Sequence, residues 1–388
     1  MVGAARIDPR IEHLDMLRGA AALLVLLGHL RAFVFQNVAS LGDVSIGLKL
    51  FYAATSLGNQ AVIVFFALSG YLVGGKALAD MLTGRWHWDR YLLRRLTRLW
   101  IVLIPALALT SALDFVGLQI GGKGYGGEFY SLYFSGPTAL NNHSFATLVG
   151  NLFFVQAITV PVFGSNGPMW SLANEFWYYI AFPLAASVAF VRNRLFYRVA
   201  AFALLGFLAI WLPAGLLLAG FIWVAGAVAA WAARRSPLVP YFRNPAYVSI
   251  AALIAALGLV YTKLPHSAYP DLVFGITVAA CLPILTHLPS PARYYDVGAR
   301  GLAEISYTLY LTHFPFLTFV FFSFAAPHRW APSAFAAVIY LAAATAALLW
   351  AVLIWWCFER QTDRAFRFFE KRLLQRSNPQ IRESRQPA

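Results

Sequence analysis

The chain has 388 residues, 60% of them hydrophobic and only 12% charged, with a mean hydropathy of +0.65 and a formal net charge of +14. A soluble domain carries about 25% charged residues, so this composition excludes an ordinary soluble globular protein and points to an integral membrane protein. Two cysteines, Cys281 and Cys357, lie in apolar runs without CxxC spacing; neither a disulfide framework nor a metal site is expected.

Apolar runs suited to spanning a bilayer, at about 20 residues each, fall near 15–35, 57–79, 96–118, 169–190, 198–213, 215–232, 246–262, 270–288, 301–324 and 333–357. The expected fold is therefore all-α, a polytopic protein of about ten transmembrane helices. The stretch 146–158 is short and followed by Pro161, and reads as interfacial. With the N-terminus placed in the cytoplasm, 25 of the 30 lysines and arginines fall on inner segments. Only Arg31, Lys49, Lys123, Lys263 and Arg329 fall outside. That bias follows the positive-inside rule and predicts two cytoplasmic termini. It also accounts for the basic excess without nucleic acid. The longest outer loop, 119–168, contains "GGKGYGGEFYSLYFSGP" and "FGSNGP". It reads either as a flexible connector or as a substrate lid.

Ionisable residues inside spans are costly and mark functional sites by default. The first span, "LDMLRGAAALLVLLGHL", carries Asp15, Arg18 and His29. Arg18 and His29 are eleven residues apart, which puts them on one helical face about 16 Å apart. Asp15 is three residues before Arg18, close enough to pair with it. The second span holds "FFALSGYLVGG", where Ser69 and Gly70 suit close helix packing. Next comes "RWHWDRYLLRRLTRLW". Its Arg94, Arg95 and Arg98 suit phosphate oxygens, or else a snorkelling interfacial helix.

In "GPMWSLANEFWYYIAFP", Glu175 lies about as deep below the outer face as His29, about 9 Å by helix rise. A carboxylate at that depth can orient an imidazole. In "EISYTLYLTHFPF", Tyr307, Tyr310 and His313 repeat at three-residue spacing and share a face. His313 reads as a second catalytic histidine or as a satisfied structural one.

Together and in this order, "LDMLRGAAALLVLLGHL", "VFFALSGYLV", "YLLRRLTRL", "WSLANEFWYYIAFP" and "ISYTLYLTHFP" resemble the acyltransferase family 3 membrane proteins. The resemblance runs from about 12 to 358. It divides the chain into a transmembrane acyltransferase domain, 1–358, and a basic cytoplasmic tail, 359–388. It implies a bacterial inner-membrane O-acyltransferase, an acyl-CoA donor (acetyl-CoA by default) from the cytoplasm and a carbohydrate or lipid-linked glycan acceptor. By the same resemblance the family's essential histidine falls on His29, its early arginine on Arg18, its arginine cluster on Arg94, Arg95 and Arg98, and its acidic residue on Glu175. Asp15, Ser69, Tyr310 and His313 are further pocket candidates. The chain departs from the family where Phe176 follows Glu175, where Thr312 stands in place of a common tryptophan, and where Pro105 lies seven residues after Arg98. A transporter or flippase fits the span count too, but the chain shows no inverted repeat and no matching broken helices. A non-catalytic sensor would leave the shared depth of His29 and Glu175 without a reason.

Overall fold

A computed structural model describes residues 11–120, 125, 142–190, 195–234 and 239–374. Over these residues the chain is helical, with two isolated bridges and no strand. Each of the ten apolar runs holds a helix. In chain order, with the shorter helices between them, these are α1 (Glu12–Val34), α2 (Ile46–Thr55), α3 (Gly58–Leu82), α4 (Trp88–Ile120), α5 (Phe145–Leu152), α6 (Trp170–Phe190), α7 (Leu195–Trp211), α8 (Ala214–Ala233), α9 (Pro245–Tyr261), α10 (Pro270–Leu285), α11 (Arg293–Phe324), α12 (Ala334–Cys357) and α13 (Thr362–Phe369). Six segments are long and apolar enough to cross a membrane: α1, α3, α4, α8, α11 and the stretch Ala334–Leu374 that begins with α12. The apolar helices α7, α9 and α10 have 16 or 17 residues, short of the roughly 20 that a perpendicular crossing needs. The protein is an integral membrane protein by these helices; among the described residues six segments are both long and apolar enough to span, where the sequence suggests ten.

The chain divides into two compact units. The first comprises residues 1–25, 57–79 and 181–306; the second comprises 26–56, 80–180 and 307–388.

Within the first unit, α3 and α8 approach until backbone meets backbone. A Cβ on Gly70 would lie 1.9 Å from the Trp223 carbonyl oxygen, and one on Gly226 would lie 2.2 Å from that of Ala67. Only glycine permits this approach in a membrane helix pair. The α3 backbone loosens into a π turn at Gly70–Gly74 where the contact is tightest. Fully buried Trp223 fills the space beside Gly74 and donates its indole N–H to Ser69 Oγ at 3.1 Å. "SGYLVGG" is therefore a packing motif, and Ser69 holds an indole.

In the second unit a run of rings surrounds the fully buried Phe33: Phe321 stacks on it at 5.4 Å and Phe322 meets it edge-on at 5.8 Å. The 146–158 stretch forms α5 and then turns back, tied to its neighbours by indoles. Trp100 donates to the Leu152 carbonyl and Trp177 to that of Phe154, both at 2.9 Å. The glycine-rich stretch 121–137 falls almost wholly outside the described residues. The tail is described to residue 374, and that part is packed. Glu359, at its start, is 3% exposed, and Phe366 on α13 is buried.

Candidate active site

Four helical segments within the second unit carry the candidate residues: the end of α1 with His29, α4 with the arginines, the first half of α6 with Glu175, and the part of α11 with Tyr307, Tyr310 and His313. His29 Nδ1 lies 2.9 Å from His313 Nε2. The other nitrogen of His313, Nδ1, lies 2.7 Å from the Leu309 carbonyl oxygen one turn back. His313 is fully buried, whereas His29 is partly buried. Phe314 covers His29 edge-on at 4.9 Å. The two residues that sequence reasoning singled out 284 positions apart are thus direct partners.

Glu175 receives a short hydrogen bond from the Tyr179 hydroxyl, one turn along α6. It is also within electrostatic reach of Tyr91, Tyr307 and Tyr310. The described contacts of His29 thus lead to His313, and those of Glu175 to a cluster of tyrosines. Tyr310 is committed to structure: its hydroxyl donates to the Pro168 carbonyl at 2.9 Å and is 2.6 Å from Ser171 Oγ.

The three arginines of α4 have different surroundings. Arg94 lies over the Phe366 ring at 4.2 Å. Arg98 makes a 2.6 Å ion pair with Glu359, which also accepts from the Thr308 amide and hydroxyl. Its guanidinium sits 5.3 Å from the centre of the Tyr307 ring. Arg95 faces two aromatic rings, Tyr179 at 5.8 Å and Tyr91 at 6.0 Å, and its buried Nε has no hydrogen-bond acceptor among the described residues. The cluster is thus divided in role. Two of its members help to bind the start of the tail to α4, reinforced by Arg90 on Glu370 at 2.8 Å. Arg95 keeps donor capacity unspent.

Arg18 and Asp15 lie in the first unit, both half-buried and both engaged by other groups. Beside them α1 runs close against α11 of the same unit: a Cβ on Gly19 would lie 2.4 Å from that of Leu302.

Sequence reasoning missed a polar cluster at the far end of α4. Asp114 is fully buried and accepts from the Ser165 amide at 2.8 Å and from His143 Nε2 at 2.9 Å. Gly164, at φ +55°, makes the turn: a Cβ there would lie 2.5 Å from the Asp114 carboxylate. The next residue but one, Asn166, donates to the Leu311 carbonyl at 2.8 Å. "FGSNGP" is therefore a pinned turn that sets the start of α6 against α11, two residues from His313. An aspartate inside an apolar run was the available signal, by the same rule that picks out His29. Among the described residues no group of three or more metal-ligating side chains occurs.

A multi-helix membrane fold thus holds a hydrogen-bonded histidine pair and an arginine-bearing helix segment in the same unit. The chain belongs to the acyltransferase family 3: residues 11–358 match that family's acyltransferase domain. A curated relative, "Acyltransferase MdmB" of Streptomyces mycarofaciens, is 28% identical over 179 residues, 45% of this chain and 39% of the relative. The match thus spans well under half the length of that relative. No solved structure matches the chain.

Proposed function

We propose that the protein is an O-acyltransferase that takes an acyl group, acetyl by default, from cytoplasmic acyl-CoA and places it on a hydroxyl of a cell-surface or lipid-linked carbohydrate. The observation that carries this reading is the histidine pair: a partly buried histidine inside a span, hydrogen-bonded to a fully buried one, in a chain of the acyltransferase family. The reaction has a simple balance. His29 takes the proton of the acceptor hydroxyl. The oxygen attacks the thioester carbonyl, the carbon–sulfur bond breaks, and the CoA thiolate leaves with that proton. General-base help of this kind is worth about 10²- to 10⁴-fold.

Arginines match phosphate oxygens in planar, bidentate fashion. Arg95, whose buried Nε has no acceptor among the described residues, is the best phosphate ligand of its cluster. Glu175, through Tyr179, completes the polar lining. In this reading all ten apolar helices cross a bacterial inner membrane and both termini are cytoplasmic.

The test is label transfer. Inside-out vesicles containing the protein receive [14C]acetyl-CoA, and the envelope glycans are then extracted. The proposal expects alkali-labile label covalently on carbohydrate. Label that only appears inside the vesicles, unattached, would make the protein a transporter and overturn it.

A further inference from the structure

Two neutral imidazoles can share a hydrogen bond in only one way if the outer nitrogen of one of them is already committed. A backbone carbonyl can only accept. His313 Nδ1, 2.7 Å from the Leu309 carbonyl, therefore carries the proton. The other nitrogen of a neutral His313, Nε2, is then an acceptor. Its partner at 2.9 Å, His29 Nδ1, must be the donor. That leaves His29 Nε2 without a proton.

The ring geometry agrees. The two ring centres are 5.2 Å apart and the ring planes differ by 14°. A ring nitrogen lies about 1.1 Å from its ring centre, so a 2.9 Å N···N contact fits that separation only with the rings nearly end to end. Face-to-face stacking would bring the centres closer. The N–H of one ring thus points along the lone pair of the other.

We propose that His313 is the positioning residue of the reaction: it fixes His29 as the Nδ1–H tautomer, so that Nε2 does the proton transfer. The inference rests on the acyl-transfer reading and makes it more specific. Free histidine favours the opposite, Nε2–H tautomer, so an unassisted His29 would have its base nitrogen blocked most of the time. When His29 Nε2 takes the acceptor proton, the Nδ1–H bond to His313 strengthens, because its donor becomes cationic. The proton then returns from Nε2 to the leaving thiolate, and His313 neither gains nor loses one. Burial of His313 and its tie to Leu309 hold the acceptor lone pair in place. In a triad a carboxylate has this duty; here a neutral imidazole has it, anchored by the helix backbone.

The experiment compares His313→Leu and His313→Gln in the full-length protein. Leucine fills the space but has no acceptor. Glutamine can present its amide oxygen where Nε2 stood. The first readout needs no acyl substrate: 15N NMR of ring-labelled histidine, with the His29 signals assigned by their loss in His29→Ala. In wild type, His29 should show a protonated Nδ1 and a bare Nε2. In His313→Leu it should shift toward the Nε2–H form, and His313→Gln should restore most of the original pattern.

The second readout is acetyl transfer. His313→Leu should lower kcat about 10- to 100-fold, with the KM for acetyl-CoA within about two-fold, and His313→Gln should recover part of the loss. A wild-type His29 already protonated at Nε2 would overturn the inference, as would an undiminished kcat in a folded His313→Leu protein. Absence of transfer in wild type would instead overturn the acyltransferase reading, and the NMR result would still judge the hydrogen bond.

Discussion

Arg98→Ala should cost the protein folding stability before it costs affinity for the donor. Arg98 neutralises Glu359 across 2.6 Å, and the Glu359 side chain is only 2% exposed. Removing one partner of a buried pair leaves an uncompensated charge and costs about 3–5 kcal/mol. The Thr308 amide and hydroxyl would still serve the orphaned carboxylate, which places the expected loss at the lower end, about 3 kcal/mol, or roughly 150-fold in the folding equilibrium. Glu359→Gln should relieve most of that penalty in the Arg98→Ala background, so the double variant should be more stable than the single one. Thermal and SDS unfolding in detergent micelles, run as a double-mutant cycle, measures the coupling. An Arg98→Ala protein with wild-type stability and a donor affinity reduced more than about 10-fold would refute the reasoning. It would mean that Arg98 is a phosphate ligand and that the ion pair does not hold the tail.

The remaining predictions concern the donor, the packing and the topology. Arg95→Ala should weaken acetyl-CoA binding by about 1.5–3 kcal/mol, roughly 10- to 150-fold, and Arg95→Lys should recover only part of it; isothermal titration with CoA in detergent measures both. Gly70→Ala should lower the unfolding temperature and the yield of folded protein, because the new methyl group would meet the Trp223 carbonyl oxygen at 1.9 Å. A Ser69→Ala control in the same assay should lose far less, about 1 kcal/mol for one hydrogen bond. Single cysteines near Lys123 should react with an impermeant maleimide in intact cells and cysteines near Arg90 should not, as the 25-to-5 distribution of basic residues requires.

The helices were legible because an apolar run in lipid has few alternatives to a helix. His29 and His313 were legible as single residues, since each interrupts such a run. Their partnership was not: nothing in "LLGHLRAF" or "LYLTHFPF" specifies a contact 284 residues away. Depth alone set His29 beside Glu175, and depth could not show that His313 is the residue 2.9 Å from His29 Nδ1. The arginine cluster raised the same problem. Periodicity grouped Arg94, Arg95 and Arg98, whereas their separation into tail anchors and a phosphate candidate depends on Glu359 and Phe366, more than 250 residues on. Asp114 could have been flagged in its span. Its partners Ser165 and His143 lie in a loop that reads as a flexible connector or a substrate lid, since a pinned turn and a mobile one share the same glycines and asparagine.

The most direct test of the account is acetyl transfer by His29→Ala. Purified wild-type and variant proteins are reconstituted in liposomes with an envelope polysaccharide fraction and [14C]acetyl-CoA, after thermal unfolding and CoA titration have shown both to be folded and able to bind the donor. The account predicts label on the polysaccharide with wild type and none above background with His29→Ala, because His29 is the base assigned to the acceptor's proton. A folded, CoA-binding His29→Ala protein that transfers acetyl at near the wild-type rate would contradict it.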